Sequence, residues 1–155
     1  MRDRQGPHKA RHHVGVRRIL ITLVAMVAVA LPSGMALAVT RTGGPGADRL
    51  VGTSGADRLL GRGGNDTLIG QGGRDRLGGG PGADTLLGGG GRDHIGGGGG
   101  RDVVAAGAGN DVVNVSGGRA DRVSCGPGND SVRADGSDSI AGDCGRPTFF
   151  CIVTN

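Results

Sequence analysis

The chain contains no Trp, no Tyr and no Glu, a single Lys (Lys9), and only two Phe, adjacent at Phe149 and Phe150. Its length, 155 residues, suits one domain. A globule of that size draws much of its stability from buried aromatic and large aliphatic side chains, so an ordinary packed core is excluded. The missing residue types also narrow the chemistry. Beyond residue 38 there is no Lys and one His, His94. An active site needs an acid, a base or a nucleophile held in a pocket, and only Asp is plentiful here. Catalysis is therefore not expected, and His94 reads as a solvated side chain.

The net charge of +4 suggests nucleic acid until the chain is divided. Residues 1–38 hold six bases (Arg2, Arg4, Lys9, Arg11, Arg17, Arg18) and one acid, Asp3, whereas residues 39–155 hold twelve Arg and thirteen Asp. The second part is near neutral overall, so no nucleic-acid partner is expected. The first part has the layout of an export signal. Basic residues end at Arg17-Arg18, an apolar run Ile19–Leu31 follows, Pro32 and Gly34 break it, and Ala36-Leu37-Ala38 offers small residues for cleavage after Ala38. Thirteen apolar residues fall short of the roughly 20 that span a bilayer. The expected mature chain is Val39–Asn155, secreted, with no stable membrane span after processing.

What is abundant is glycine, 36 residues, and it is periodic. Aspartates fall every nine residues at Asp48, Asp57, Asp66, Asp75, Asp84, Asp93, Asp102 and Asp111. Two residues after each stands an aliphatic (Leu50, Leu59, Leu68, Leu77, Leu86, Ile95, Val104, Val113), and two before each a Gly, from Gly46 to Gly109. Three columns in one register exclude a flexible Gly-rich spacer. The register then loosens: Asp121 comes ten residues later, Asp130 nine and Asp138 eight, each still followed by Val123, Val132 or Ile140. These intervals divide the chain into an export signal (1–38), a short linker (39–42), regular repeats (43–114), degenerate repeats with a cap (115–145) and an apolar tail (146–155).

The unit Gly61-Arg62-Gly63-Gly64-Asn65-Asp66-Thr67-Leu68-Ile69 resembles the calcium-binding nonapeptide of RTX, or haemolysin-type, proteins, G-G-x-G-x-D-x-U-x. Thr53 and Arg62 stand at its second glycine position and Ala106 at its first. The resemblance implies an all-β fold, a parallel β-roll, that is, a right-handed β-solenoid of nonapeptide repeats. It also implies that loops two units apart face each other, Asp48 with Asp66 and so on to Asp93 with Asp111, giving about six shared Ca2+ sites.

The residue types fit that reading. Glycine turns backbone carbonyls inward, three residues such as Thr67–Ile69 make a short strand, and Leu68 faces one side. One buried Leu contributes roughly 1.5–3 kcal/mol, whereas ordering each of nine backbones costs roughly 1–2 kcal/mol. Stacking also aligns carboxylates. A hard cation that takes six to eight oxygens resolves both problems. The candidate ligands are the side chains of Asp48, Asp57, Asp66, Asp75, Asp84, Asp93, Asp102, Asp111 and Asp130. Gly61, Gly64, Gly70, Gly73, Gly79, Gly82, Gly88 and Gly91 serve as carbonyl donors or turn formers. Arginines beside the aspartates (Arg49, Arg58, Arg74, Arg76, Arg92, Arg101) are expected to solubilise the outer face, since exposed ion pairs contribute little.

In an exported chain Cys125 and Cys144 are the natural disulfide pair, leaving Cys151 unassigned; a zinc site is disfavoured by the absence of nearby His. The leading expectation is a secreted protein that folds on binding Ca2+. The alternative is an extracellular structural or adhesion module, with a cell-surface or matrix partner, in which calcium is only a staple.

Overall fold

The structure, a computed structural model, describes residues 36–144 and the backbone of 151–154. The export-signal reading falls outside the described residues except for Ala36–Ala38, and so do residues 145–150 and the side chain of Cys151. Among the described residues every element is a strand: β1 (Thr40–Thr42), β2 (Arg49–Val51), β3 (Arg58–Leu60), β4 (Thr67–Gly72), β5 (Arg76–Pro81), β6 (Thr85–Gly90), β7 (His94–Gly99), β8 (Val103–Ala108), β9 (Val112–Asn114), β10 (Arg122–Ser124), β11 (Ser131–Asp135), β12 (Ser139–Ile140) and β13 (Cys151–Thr154).

Odd-numbered strands form one sheet of seven and even-numbered strands a second sheet of six. All pairings are parallel, and in the regular region each residue pairs with the one eighteen later, as in Leu50↔Leu68 and Leu59↔Leu77. Two nonapeptides thus make one coil, and the coils stack as a β-solenoid. Alternation along each strand points the repeat aliphatic inward. Leu59, Leu68, Leu77, Leu86, Ile95, Val104, Val113, Val123 and Val132 are all buried in one cluster between the sheets, with Leu50 and Ile140 half-buried at its ends.

Three details differ from the sequence expectation. Strands β4 to β8 are six residues long, not three. The turn residues of successive coils pair as well, as in Gln71↔Gly89 and Gly72↔Gly90. Thr40–Thr42, expected as linker, pair with β3 through Thr40↔Arg58. At the other end, the backbone of Cys151–Thr154 extends the first sheet beside β11.

The loosened register is absorbed without breaking the stack. The offset becomes nineteen at Arg122↔Val103 and Ser131↔Val112, then seventeen at Ser139↔Arg122. The extra residue before Asp121 lies in a turn, where length is cheap, and the inward aliphatic keeps its place.

Candidate metal centre

The aspartates line the inside of the turns. From Asp57 to Asp130 all nine, Asp121 included, are between 0 and 5% exposed, and Asp48 is half-buried. Each joins a ladder running up the stack. The Asp48 N–H donates to Asp66 Oδ1 at 2.8 Å, Asp66 N–H to Asp84 Oδ1 at 2.7 Å, and Asp93 N–H to Asp111 Oδ1 at 2.8 Å. The ladder continues through Asp102 to Asp121, Asp111 to Asp130 and Asp121 to Asp138. Asp121 and Asp138 join the ladder although they break the nine-residue spacing. Their aliphatic followers, Val123 and Ile140, mark both positions in the sequence.

From Asp57 to Asp130 the ladder satisfies one oxygen of each carboxylate; from Asp66 onward the other is left without a partner. Oδ2 of Asp66, Asp75, Asp84, Asp93, Asp102, Asp111, Asp121 and Asp130 is buried and accepts no hydrogen bond. A buried charged oxygen without a partner is costly, so a column of them calls for positive charge.

The first glycine of each unit decides what faces that oxygen. A Cβ placed on Gly43 would lie 2.5 Å from both Asp48 Oδ2 and the Gly61 carbonyl oxygen. The same two groups converge over Gly52 (Asp57, Gly70), Gly61 (Asp66, Gly79), Gly70 (Asp75, Gly88), Gly79 (Asp84, Gly97) and Gly88 (Asp93, Ala106). Gly61, Gly70, Gly79 and Gly88 therefore aim carbonyls at carboxylates one coil earlier. Gly64, Gly73, Gly82 and Gly91 are turn formers. Their φ values are 105°, 106°, 147° and 124°, and a Cβ on each would strike the backbone of the coil below.

The second position of the unit sets the carbonyl direction. In the first two units this residue's N–H reaches the carboxylate: Gly44 donates to Asp48 Oδ2 at 2.6 Å and Thr53 to Asp57 Oδ2 at 2.5 Å. From Arg62 onward the residue is left-handed, with φ of 81° at Arg62, 82° at Gln71 and 106° at Gly80. No N–H then reaches Oδ2. A left-handed Arg or Gln carries strain of roughly 1–2 kcal/mol, held here by the stacked neighbours.

Electrostatics follow the burial. Burial raises the pKa of Asp75, Asp84, Asp102 and Asp111, and pushes Asp93 and Asp121 up to about 6. The hydrogen bond from the preceding ladder N–H opposes the rise, and neighbouring carboxylates, such as Asp111 and Asp75 around Asp93, add to it. Repulsion of this kind is what a cation relieves.

Among the described residues no three His, Cys, Asp or Glu side chains gather as a metal cluster. The donors on offer are single carboxylates and backbone carbonyls, an all-oxygen set suited to Ca2+ and not to zinc. Cys125 and Cys144 are joined as a disulfide across a separation of nineteen residues, which leaves neither thiol to ligate. Among the described residues no arginine forms an ion pair with the aspartates, because the carboxylates lie inside.

A parallel β-solenoid with glycine–aspartate turns and an inward carboxylate ladder defines the class of protein. The family model of the RTX calcium-binding nonapeptide repeat (4 copies) matches residues 42–77 and 78–113. Residues 42–113 thus carry RTX calcium-binding nonapeptide repeats, wound here as a β-roll. No curated protein and no solved structure matches it.

Proposed function

We propose that this chain is an exported β-roll whose regular coils order on binding Ca2+ between stacked glycine–aspartate turns, and that it carries no catalytic activity. The observation that carries this reading is the column of buried Oδ2 atoms with no hydrogen-bond partner, of which those of Asp66, Asp75, Asp84 and Asp93 stand beside an inward carbonyl. Asp66 with Gly79 and Asp84 with Gly97 would hold ions on one edge of the roll, and Asp57 with Gly70 and Asp75 with Gly88 on the other. Bound calcium supplies positive charge and ties each coil to the next. The protein's own part is to hold Oδ1 on the ladder N–H, so that Oδ2 stays oriented toward the neighbouring carbonyl. Asp130, also a candidate ligand, lies where Cys125 replaces glycine, and is the weakest of the set.

Export is supported by the basic-then-apolar leader and by the disulfide, which suits an oxidising compartment. Among the described residues no helix is long and apolar enough to cross a membrane.

The test is calorimetric calcium titration of the chain beside Asp66→Ala and Asp84→Ala, with far-UV circular dichroism in chelator and in calcium. About six ions are expected for the parent, about one fewer for each variant, and strand signal that appears only with calcium. Identical spectra in chelator and in about 10 mM calcium would reject the reading.

A further inference from the structure

Folding sorts the charges of this chain by sign. The aspartates from Asp57 to Asp130 are buried, whereas all eleven described arginines, from Arg41 to Arg133, are exposed. A chain with nearly balanced charge therefore presents a cationic exterior. The bases are also aligned. Arg58 pairs in register with Arg76, and Arg76 with His94, so the three stand on consecutive strands β3, β5 and β7 of the first sheet, about 4.8 Å apart. Arg74 and Arg92 precede Arg76 and His94 by two residues, and both are exposed. Thr40, Arg58, Arg74, Arg76 and His94 line one shallow groove of about 350 Å³, with buried Asp57 the sole acid on its wall. Among the described residues these arginines form no ion pair.

We propose that this row binds a linear acidic polysaccharide, through sulfate or carboxylate groups repeating along the sugar chain. Arginine suits the task because its planar donors grip such groups two at a time. A straight row on a flat sheet matches an extended polymer. The described residues contain no Phe, Tyr or Trp on which unpaired bases could stack, and no helix to enter a duplex groove. Calcium strengthens the match: each ion brings two positive charges against the buried carboxylates, so the loaded roll is more cationic than the bare one. That clause alone rests on the calcium reading above.

The experiment measures affinity of the chain, in calcium, for dextran sulfate, hyaluronate, neutral dextran and duplex DNA. The variants are R58Q/R76Q and, as a control for net charge, R49Q/R122Q on the second sheet. Calcium uptake is followed by calorimetry on the same samples. We expect binding to dextran sulfate or hyaluronate but not to neutral dextran, weakening with salt. R58Q/R76Q should bind about tenfold more weakly and R49Q/R122Q less than about twofold, with circular dichroism unchanged in both. Failure on both acidic polymers, or equal loss in the two variants, overturns the proposal. DNA bound more tightly than either polymer, with the same sensitivity to R58Q/R76Q, overturns the ligand class. Calcium uptake without polymer binding sinks this inference alone; polymer binding without calcium uptake sinks the calcium reading alone.

Discussion

Residues 43–104 and residues 106–143 carry the same carboxylate ladder, yet what stands beside it differs. In the first stretch each unit opens with glycine (Gly43, Gly52, Gly61, Gly70, Gly79, Gly88, Gly97), leaving one inward aliphatic per unit and, from Asp48 to Asp93, a backbone carbonyl facing the carboxylate. In the second, Ala106, Val115, Cys125 and Ala134 occupy that place, and all four are fully buried. Val115 Cγ1 lies 3.3 Å from where a Cβ on Gly97 would stand, so a methyl faces Asp102 where a carbonyl faces Asp84. The disulfide adds a covalent tie, and Asp143 closes the end by accepting hydrogen bonds from Gly126 N–H and Ser124 Oγ. Those bonds hold its carboxyl below the usual carboxylate range. The same backbone design thus sets carboxylates against carbonyls in one region and apolar side chains with a disulfide in the other.

Chelation should separate the two regions most. Hydrogen exchange after calcium removal should show amides of β3 to β8 losing protection by more than about a hundredfold, the stabilisation of even one site held at a hundred times its Kd. Amides of β10 and β11 should keep most of theirs. Equal loss along the chain would erase the distinction.

Cutting the tie at the other end comes next. C125A/C144A should lower the stability of the terminal turns in chelator by about 3 kcal/mol, read from a urea titration, while leaving calcium stoichiometry intact. A fall in stoichiometry would mean the regular coils depend on the cap.

Exchanging the first-position residue tests the mechanism locally. Gly79→Ala puts a methyl on Asp84 Oδ2 and the Gly97 carbonyl, and should abolish about one calcium site by calorimetry. Ala106→Gly removes an apolar contact and should cost about 1 kcal/mol without removing a site.

The smallest effect concerns pH. Asp121, in the terminal turns, is pushed up to about 6 in the folded chain against an ordinary 3.8. Between those values the folded state holds a proton that the unfolded state has released, so metal-free stability falls as pH rises through that window. The urea midpoint in chelator should therefore be higher near pH 4.5 than near pH 7. In the regular coils Asp93, also pushed up to about 6, must lose its proton to take calcium, so affinity should rise over the same range.

Much of this was legible in the residues. The Asp and Leu columns placed the ladder and the core because a strand turns every second side chain inward, and a nine-residue period repeats that placement. The division of labour among glycines was not legible. Gly61 and Gly64 look alike in the sequence, yet one aims a carbonyl toward Asp48 and the other holds a left-handed turn. The conformation of Arg62 was equally hidden, since only the coils above and below hold it left-handed.

The nine-residue period by itself determined that aliphatics and carboxylates recur in one register, because local geometry repeats wherever the pattern does; the parallel stack was implied by the family resemblance. The tertiary structure alone decided that each ladder N–H takes one carboxylate oxygen of the next coil and leaves the other without a partner from Asp66 onward. It also decided that Val115, Cys125 and Ala134 fill the space glycine leaves elsewhere. Both outcomes depend on which groups from separate coils meet, and spacing along one strand carries no record of that.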